Sequence, residues 1–268
     1  MKKAFLCVIG LSAAFIFSAA PVSAATIRIN YPKVQLELQP GETYSGTIVA
    51  ENPTSDPVKT RIYLEDWRYA PGGNGEKIFS PPGTNENSAA KWITFSPAET
   101  EIPAFGRVEL NYTVRVPAEG VKGGYYAVLF FETILGAATN EEGVNVLVAG
   151  RIGSLYYVEI KGLSDRQGKI ESVEIKQPEG NKPYEIVTTF RNTGNTDVTV
   201  NGKYLIMDTD GVVKARGDVA GIYTVPGAVE SSTTQWAGRL PKGEYQVLLT
   251  YDLGKGKTLV EEKNLSVP

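Results

Sequence analysis

Four acids, Glu51, Glu65, Asp66 and Glu132, are the side chains of this 268-residue sequence that could be arranged for catalysis. A facing pair would suffice to hydrolyse a glycoside, one carboxylic acid protonating the leaving oxygen while the other supports the attack. Their settings argue against it. Glu65 alternates onto the polar side of its run, where an isolated acid serves solvation. Serine hydrolysis needs a base beside the hydroxyl, yet the chain has no histidine, and no predicted helix carries a Ser-X-X-Lys pair. Gly123-Gly124 precedes a strand and reads as a turn, not as a phosphate-binding loop. The expected function class is therefore not an enzyme, and no cofactor or metal is implied.

The elements that hold these residues begin after a leader. Lys2 and Lys3 precede an apolar run from Ala4 to Ala20, and Val22-Ser23-Ala24 forms a small-residue cleavage site, the pattern of a secretory signal peptide over 1–24. Cys7, the only cysteine, lies near the start of that run, whereas a lipid-accepting cysteine closes it. The expected mature chain begins at Ala25 and has neither cysteine nor histidine. Its stability in an oxidising compartment must then come from packed cores and not from disulfides. Without Lys2 and Lys3 it has 25 basic and 30 acidic side chains, a formal charge of −5. That balance argues against nucleic acid and anionic lipid as partners. No later run is long and apolar enough to span a bilayer, so no stable membrane insertion is expected.

Period-two alternation dominates the mature chain. Val108, Leu110, Tyr112, Val114 and Val116 alternate with Glu109, Asn111, Thr113 and Arg115, a strand with one face in a core and one in water. The pattern recurs at Val34, Leu36 and Leu38, at Val58, Ile62 and Leu64, at Tyr184, Ile186 and Phe190, and at Tyr245, Val247, Leu249 and Tyr251. An internal repeat points to two domains. Asn52 ends one strand and Val58 starts the next after a turn with Asp56; Asn192 and Val198 do the same around Asp197. Further on, Pro117, Gly124, Tyr125 and Val128 are echoed by Pro241, Gly243, Tyr245 and Val247. A tyrosine there suits a corner in which its hydroxyl satisfies a nearby backbone group. The predicted fold is all-β: two tandem immunoglobulin-like β-sandwiches over 25–160 and 163–268, with a short, stiff joint at Gly162-Leu163-Ser164-Asp165. The segment from Arg68 to Ala90, rich in Gly, Pro and Asn, reads as a long strand-free loop, either functional or a tolerated insertion.

Two consecutive runs late in the first domain break the alternation. Residues 125–131 read Tyr-Tyr-Ala-Val-Leu-Phe-Phe and residues 144–149 read Val-Asn-Val-Leu-Val-Ala. As neighbouring F and G strands they would present a continuous apolar strip on a second face, which must be covered. Two covers fit: the chain itself, through its second domain or the 68–90 loop, or a partner strand added at the sheet edge.

Residues 144–157, VNVLVAGRIGSLYY, with the stretch PKVQLELQPG at 32–41, resemble the periplasmic chaperones of pilus assembly. The resemblance implies that a G strand donates alternating apolar side chains, here Val144, Val146 and Val148, to an incomplete subunit. It also implies that basic cleft residues, here Lys33 and Arg151, hold the subunit's terminal carboxylate. The implied partner is a pilin-like or surface subunit, and the implied compartment is the periplasm. The first domain is also similar to the sandwich of cell-surface proteins that bind WxL-type wall proteins, through its PGE turn, its Asn-bearing corner and Gly-Gly-Tyr-Tyr. That likeness implies a cell-envelope or surface scaffold or adhesion protein, on the cell surface or secreted, as the alternative function.

Overall fold

The computed structural model describes residues 27–139, 145–178, 180 and 182–268, with 135–139 and 145–147 described by their backbone alone. The leader at 1–24 and Val144 lie outside these residues. The first half supplies β1 (Arg28–Ile29), β2 (Lys33–Leu38), β3 (Thr43–Glu51), β4 (Val58–Tyr69), β5 (Lys77–Ser80), β6 (Ile93–Ser96), β7 (Glu99–Ile102), β8 (Arg107–Arg115), β9 (Gly124–Thr139) and β10 (Asn145–Ile160). They form one sheet of order β1-β3-β8-β6 and a second of order β2-β10-β9-β4-β5, with β7 paired to β4. The second half supplies β11 (Gly168–Lys176), β12 (Tyr184–Asn192), β13 (Val198–Asp208), β14 (Val213–Thr224), β15 (Val229–Trp236), β16 (Gly243–Gly254) and β17 (Lys257–Val267). Its sheets run β11-β12-β15 and β14-β13-β16-β17.

Each pair of sheets encloses a core drawn from the alternating residues. Ile48, Leu110, Val114, Phe131, Tyr156 and Ile160 meet in the first; Ile186, Phe190, Val200, Val247, Leu249 and Tyr251 meet in the second. Burying each such side chain contributes ~1.5–3 kcal/mol. On the wet face of β3 and β8 the same alternation puts Ser45 beside Thr113 and Thr47 beside Asn111, hydrogen-bonded at 3.0 and 2.9 Å. The chain is all-β, two immunoglobulin-like sandwiches in tandem.

The repeat read in the sequence has a physical cause. Asn52 and Asn192 are both buried and brace equivalent corners. Asn52 Nδ2 donates to the carbonyls of Asp56, Ile102 and Pro103 at 2.8, 3.2 and 3.1 Å, while its Oδ1 accepts Thr54 N–H at 3.0 Å. Asn192 Nδ2 donates to Thr196 O at 2.9 Å and its Oδ1 accepts Gly194 N–H at 2.9 Å. Tyr245 makes the expected corner, donating to Pro241 O at 2.8 Å. Tyr125 instead packs on Trp92, ring centroids 4.1 Å apart. Its neighbour Tyr126 reaches the second sandwich, where its hydroxyl accepts Asp197 N–H at 2.7 Å.

The joint is hydrogen-bonded on both sides. Gly123 N–H donates to Leu163 O at 3.0 Å and Ser164 Oγ to Gly123 O at 2.8 Å; Asn195 accepts Asp165 N–H at 2.7 Å and donates to Leu163 O at 2.9 Å. Glu159 adds ion pairs to Arg166 and, at 2.7 Å, to Lys255.

The 68–90 segment departs from its strand-free expectation. β4 continues to Tyr69, and Lys77–Ser80 returns beside it as β5, with Trp67 opposite Phe79 and Tyr69 opposite Lys77. Beyond β5 the chain is pinned by the buried carboxylate of Asp66. It accepts Thr84 N–H at 2.8 Å, Asn85 N–H at 2.9 Å and the Ser88 hydroxyl at 2.5 Å.

Candidate functional site

β9 and β10 form the longest hairpin of the molecule, and its two halves have different surroundings. At the root, alternate residues of β9 are buried on opposite faces. Ala127, Leu129 and Phe131 point into the first core, while Tyr126, Val128 and Phe130 join an outer aromatic layer with Trp67, Tyr69 and Tyr157. The cover is internal. Phe79 of β5 meets Phe130 edge-on at 5.0 Å, and Tyr63 lies 5.8 Å from it. Tyr223 and Val225 of the second sandwich close the far end. Gly153 is required here, since a Cβ would stand 2.7 Å from Val128 and 3.0 Å from the Phe130 ring. For residues 125–131, then, the chain fills its own apolar strip.

Toward the tip the cover ends. β4 accompanies β9 only as far as Thr133, opposite Thr60. β2 runs parallel to β10 only from Leu155, opposite Lys33. Between them the hairpin continues as a two-stranded ribbon, with a register shift at Val148/Ala149. Among the described residues no strand pairs β10 on its outer side from Asn145 to Ser154. Ile134 is 65% exposed and Val148 44%. Val146 stands opposite Ala138 in the ladder. Ser154, buried, ties the end of this open stretch by donating to Tyr31 O at 2.7 Å.

The two cations singled out for a carboxylate differ in setting. Arg151 is engaged: its Nη1 lies 3.0 Å from Glu65 Oε1 and donates to the Tyr63 hydroxyl at 3.3 Å. Its guanidinium sits 4.0 Å from the Phe130 centroid, and Tyr63 in turn donates to Glu132 Oε2 at 2.7 Å. Arg151 closes the aromatic layer and presents no free charge. Lys33 is exposed, its Nζ 4.3 Å above the Tyr157 ring. Because Lys33 stands opposite Leu155, Arg151 is four residues away along the neighbouring strand, roughly 13 Å at strand rise.

Sequence reasoning missed a third cation, Lys77. Its Nζ lies 5.3 Å from the Tyr69 ring and 5.7 Å from Trp67, and donates to Gly75 O at 3.0 Å. Burial holds its pKa below the ordinary lysine value, and the charge of Lys33 lowers it further. Among the described residues neither Lys33 nor Lys77 pairs with a carboxylate. Two ammonium groups thus share an aromatic floor with no carboxylate in ion-pair contact among the described residues, the buried Asp197 acting on Lys33 only through space, an arrangement suited to a carboxylate. No spacing connects them in the sequence; the β4–β5 hairpin brings Lys77 across.

Three of the four acids considered for catalysis are engaged by other groups. Asp66 pins a loop, Glu65 pairs with Arg151, Glu132 accepts from Tyr63, and Glu51 is exposed at the end of β3. A Ser-X-X-Lys spacing does occur, at Ser88-Ala-Ala-Lys91, beside a 3-10 turn at Ala90–Trp92. Ser88 Oγ, however, donates to Asp66 and accepts Ala90 N–H at 3.1 Å, which leaves the hydroxyl structural.

No family model matches the sequence, and no curated protein matches it. Among solved structures it is similar to the class 5 fimbriae chaperone CfaA, at 15% identity and a TM-score of 0.45 over 91% of this chain and 100% of that one. It is similar to a chain of the chaperone–tip adhesin complex of CFA/I fimbriae, at 14% and 0.46 over 89% and 99%. A chain of the CsuC–CsuE chaperone–tip adhesion subunit pre-assembly complex of Acinetobacter baumannii gives 14% and 0.44 over 89% and 98%. At such identities and TM-scores the site must be argued from its own residues.

Proposed function

We propose that this chain is an extracytoplasmic, periplasmic protein of chaperone-like type that holds a protein partner by strand addition along β10. The observation that carries this reading is the open edge from Asn145 to Ser154. Its N–H and C=O groups face no strand, next to the exposed Val148 and Ile134. Proteins ordinarily blunt such an edge with charge, proline or a covering segment; one left long and apolar is a template for an incoming strand. Val144, Val146 and Val148 would supply the apolar contacts. A partner's terminal carboxylate would rest on Lys33 and Lys77, since Arg151 is already neutralised by Glu65. The hydrogen-bonded joint supports a division into domains at 25–160 and 163–268, with the anchor on the face of the first that meets the second.

The test uses a peptide of about ten residues, the length of the open edge, alternating valine and threonine, with either a free or an amidated C-terminus. A photo-crosslinker at position 148 should capture it. Lys33→Ala and Lys77→Met should weaken the free-acid peptide and leave the amide unchanged. No crosslink at 148 under conditions where the peptide still binds the protein would dismiss strand addition.

A further inference from the structure

The geometry points to a latch: we propose that the Ala70–Glu76 strap, docked on the second sandwich, holds Lys77 beside Lys33, so that the second sandwich governs carboxylate binding without touching the carboxylate. This deepens the reading of Lys33 and Lys77 as an anchor and rests on it.

β4 ends at Tyr69 and β5 starts at Lys77. A hairpin turn needs only about two residues, whereas here the chain leaves the first sandwich and crosses to β14 and β15. Ala70 N–H closes the neck on Glu76 O at 2.8 Å. At the far end Gly72 N–H donates to Glu230 Oε2 at 2.7 Å, and Gly73 O accepts Tyr223 N–H at 3.0 Å. Conformation demands all three glycines, and space demands Gly73 and Gly75 as well. Gly72, Gly73 and Gly75 have φ of 108, 66 and 81°, where a side chain is strained. A Cβ on Gly73 would stand 2.9 Å from Ser231 O, and one on Gly75 2.9 Å from the Tyr223 ring. That ring also packs on Tyr69, centroids 5.5 Å apart.

The strap's return leg is what Lys77 holds on to. Its Nζ donates to Gly75 O, and Gly75 lies against Tyr223. Contacts therefore run from Glu230 and Tyr223 through Gly72, Gly73 and Gly75 to the ammonium. Undocking the strap removes the acceptor that keeps Lys77 over Tyr69 and Trp67.

The experiment uses the whole chain carrying Gly73→Val, whose side chain meets backbone oxygen and cannot stay latched. Glu230→Ala is a milder variant that carries the test if Gly73→Val does not fold. Two quantities are read. One is the ratio of affinities for the free-acid and amidated peptides, expected to fall about tenfold in Gly73→Val and a few-fold in Glu230→Ala. The other, independent of any ligand, is acetylation of Lys77 relative to Lys122, expected to change several-fold when the ammonium leaves its half-buried place. An affinity ratio unaltered from wild type overturns the latch. Should the wild type itself fail to distinguish the two peptides, the anchor reading falls; unchanged Lys77 labelling in Gly73→Val then overturns the latch as well, and altered labelling upholds its hold on Lys77.

Discussion

The root and the tip of the β9–β10 hairpin are written in the same apolar residues and have opposite surroundings. At the root both faces are packed, Phe131 and Tyr156 inward and Phe130 and Tyr157 outward. At the tip Val148 and Ile134 are exposed and the edge of β10 faces no strand. Side-chain chemistry does not separate the two; neighbours do. β4 ends its pairing with β9 at Thr133, and β2 pairs β10 only from Leu155. A strand that is apolar on both faces is therefore not by itself a binding strand, and the same hairpin is core for half its length and open-edged for the rest.

The comparison is broken most severely at Phe130. Phe130→Ala should cost ~3–5 kcal/mol, because Phe79, Tyr63 and Arg151 cannot close over the space left behind. A denaturant titration giving less than about 1 kcal/mol would show the root to be loosely covered. At the tip, Val148→Asp should leave stability within ~0.5 kcal/mol, as surface changes do, while lowering peptide capture by the equivalent of ~1.5–3 kcal/mol. A variant that unfolds would make Val148 ordinary core. Arg151→Ala sits at the boundary between the halves. It should cost about 1 kcal/mol, chiefly the cation over Phe130, with little from the partly solvated pair to Glu65. It should not alter the preference for a free C-terminus, and a lost preference would return Arg151 to the anchor.

The smallest effect concerns the seam beneath the root. Burial raises the pKa of Asp197 above the ordinary carboxylate value, despite the opposing charge of Arg166. A folded pKa above the unfolded one means stability that is fully present below about pH 3.9 and lost as pH rises through the raised value. Asp197→Asn can still accept from Tyr126 and should flatten that slope. Thermal midpoints across this acidic window check it; parallel profiles for the two proteins would remove Asp197 as its source.

Much of this was readable in advance, for specific reasons. The inward faces of β2, β8, β12 and β16 follow from period two, since a strand with one wet face must alternate. The corner repeat was legible because Asn52 and Asn192 are needed at equivalent bends, where the amide bonds several backbone groups at once. β5 was hidden, because four residues among so many Gly and Pro carry no period of their own and are held by Trp67 and Asp66. Lys77 left no trace at all, since its partner Lys33 lies in a different strand far away in sequence.

By itself, the amino-acid order determined an all-β chain of two sandwiches, a short joint, and an odd doubly apolar hairpin, because all three are properties of local pattern. Which part of that hairpin is buried, which lysine stands beside Lys33, and what the glycines at 72, 73 and 75 are for were decided only by the tertiary structure. Cover and counter-charge depend on strands that meet in space after long separation along the chain, and no local pattern encodes that meeting.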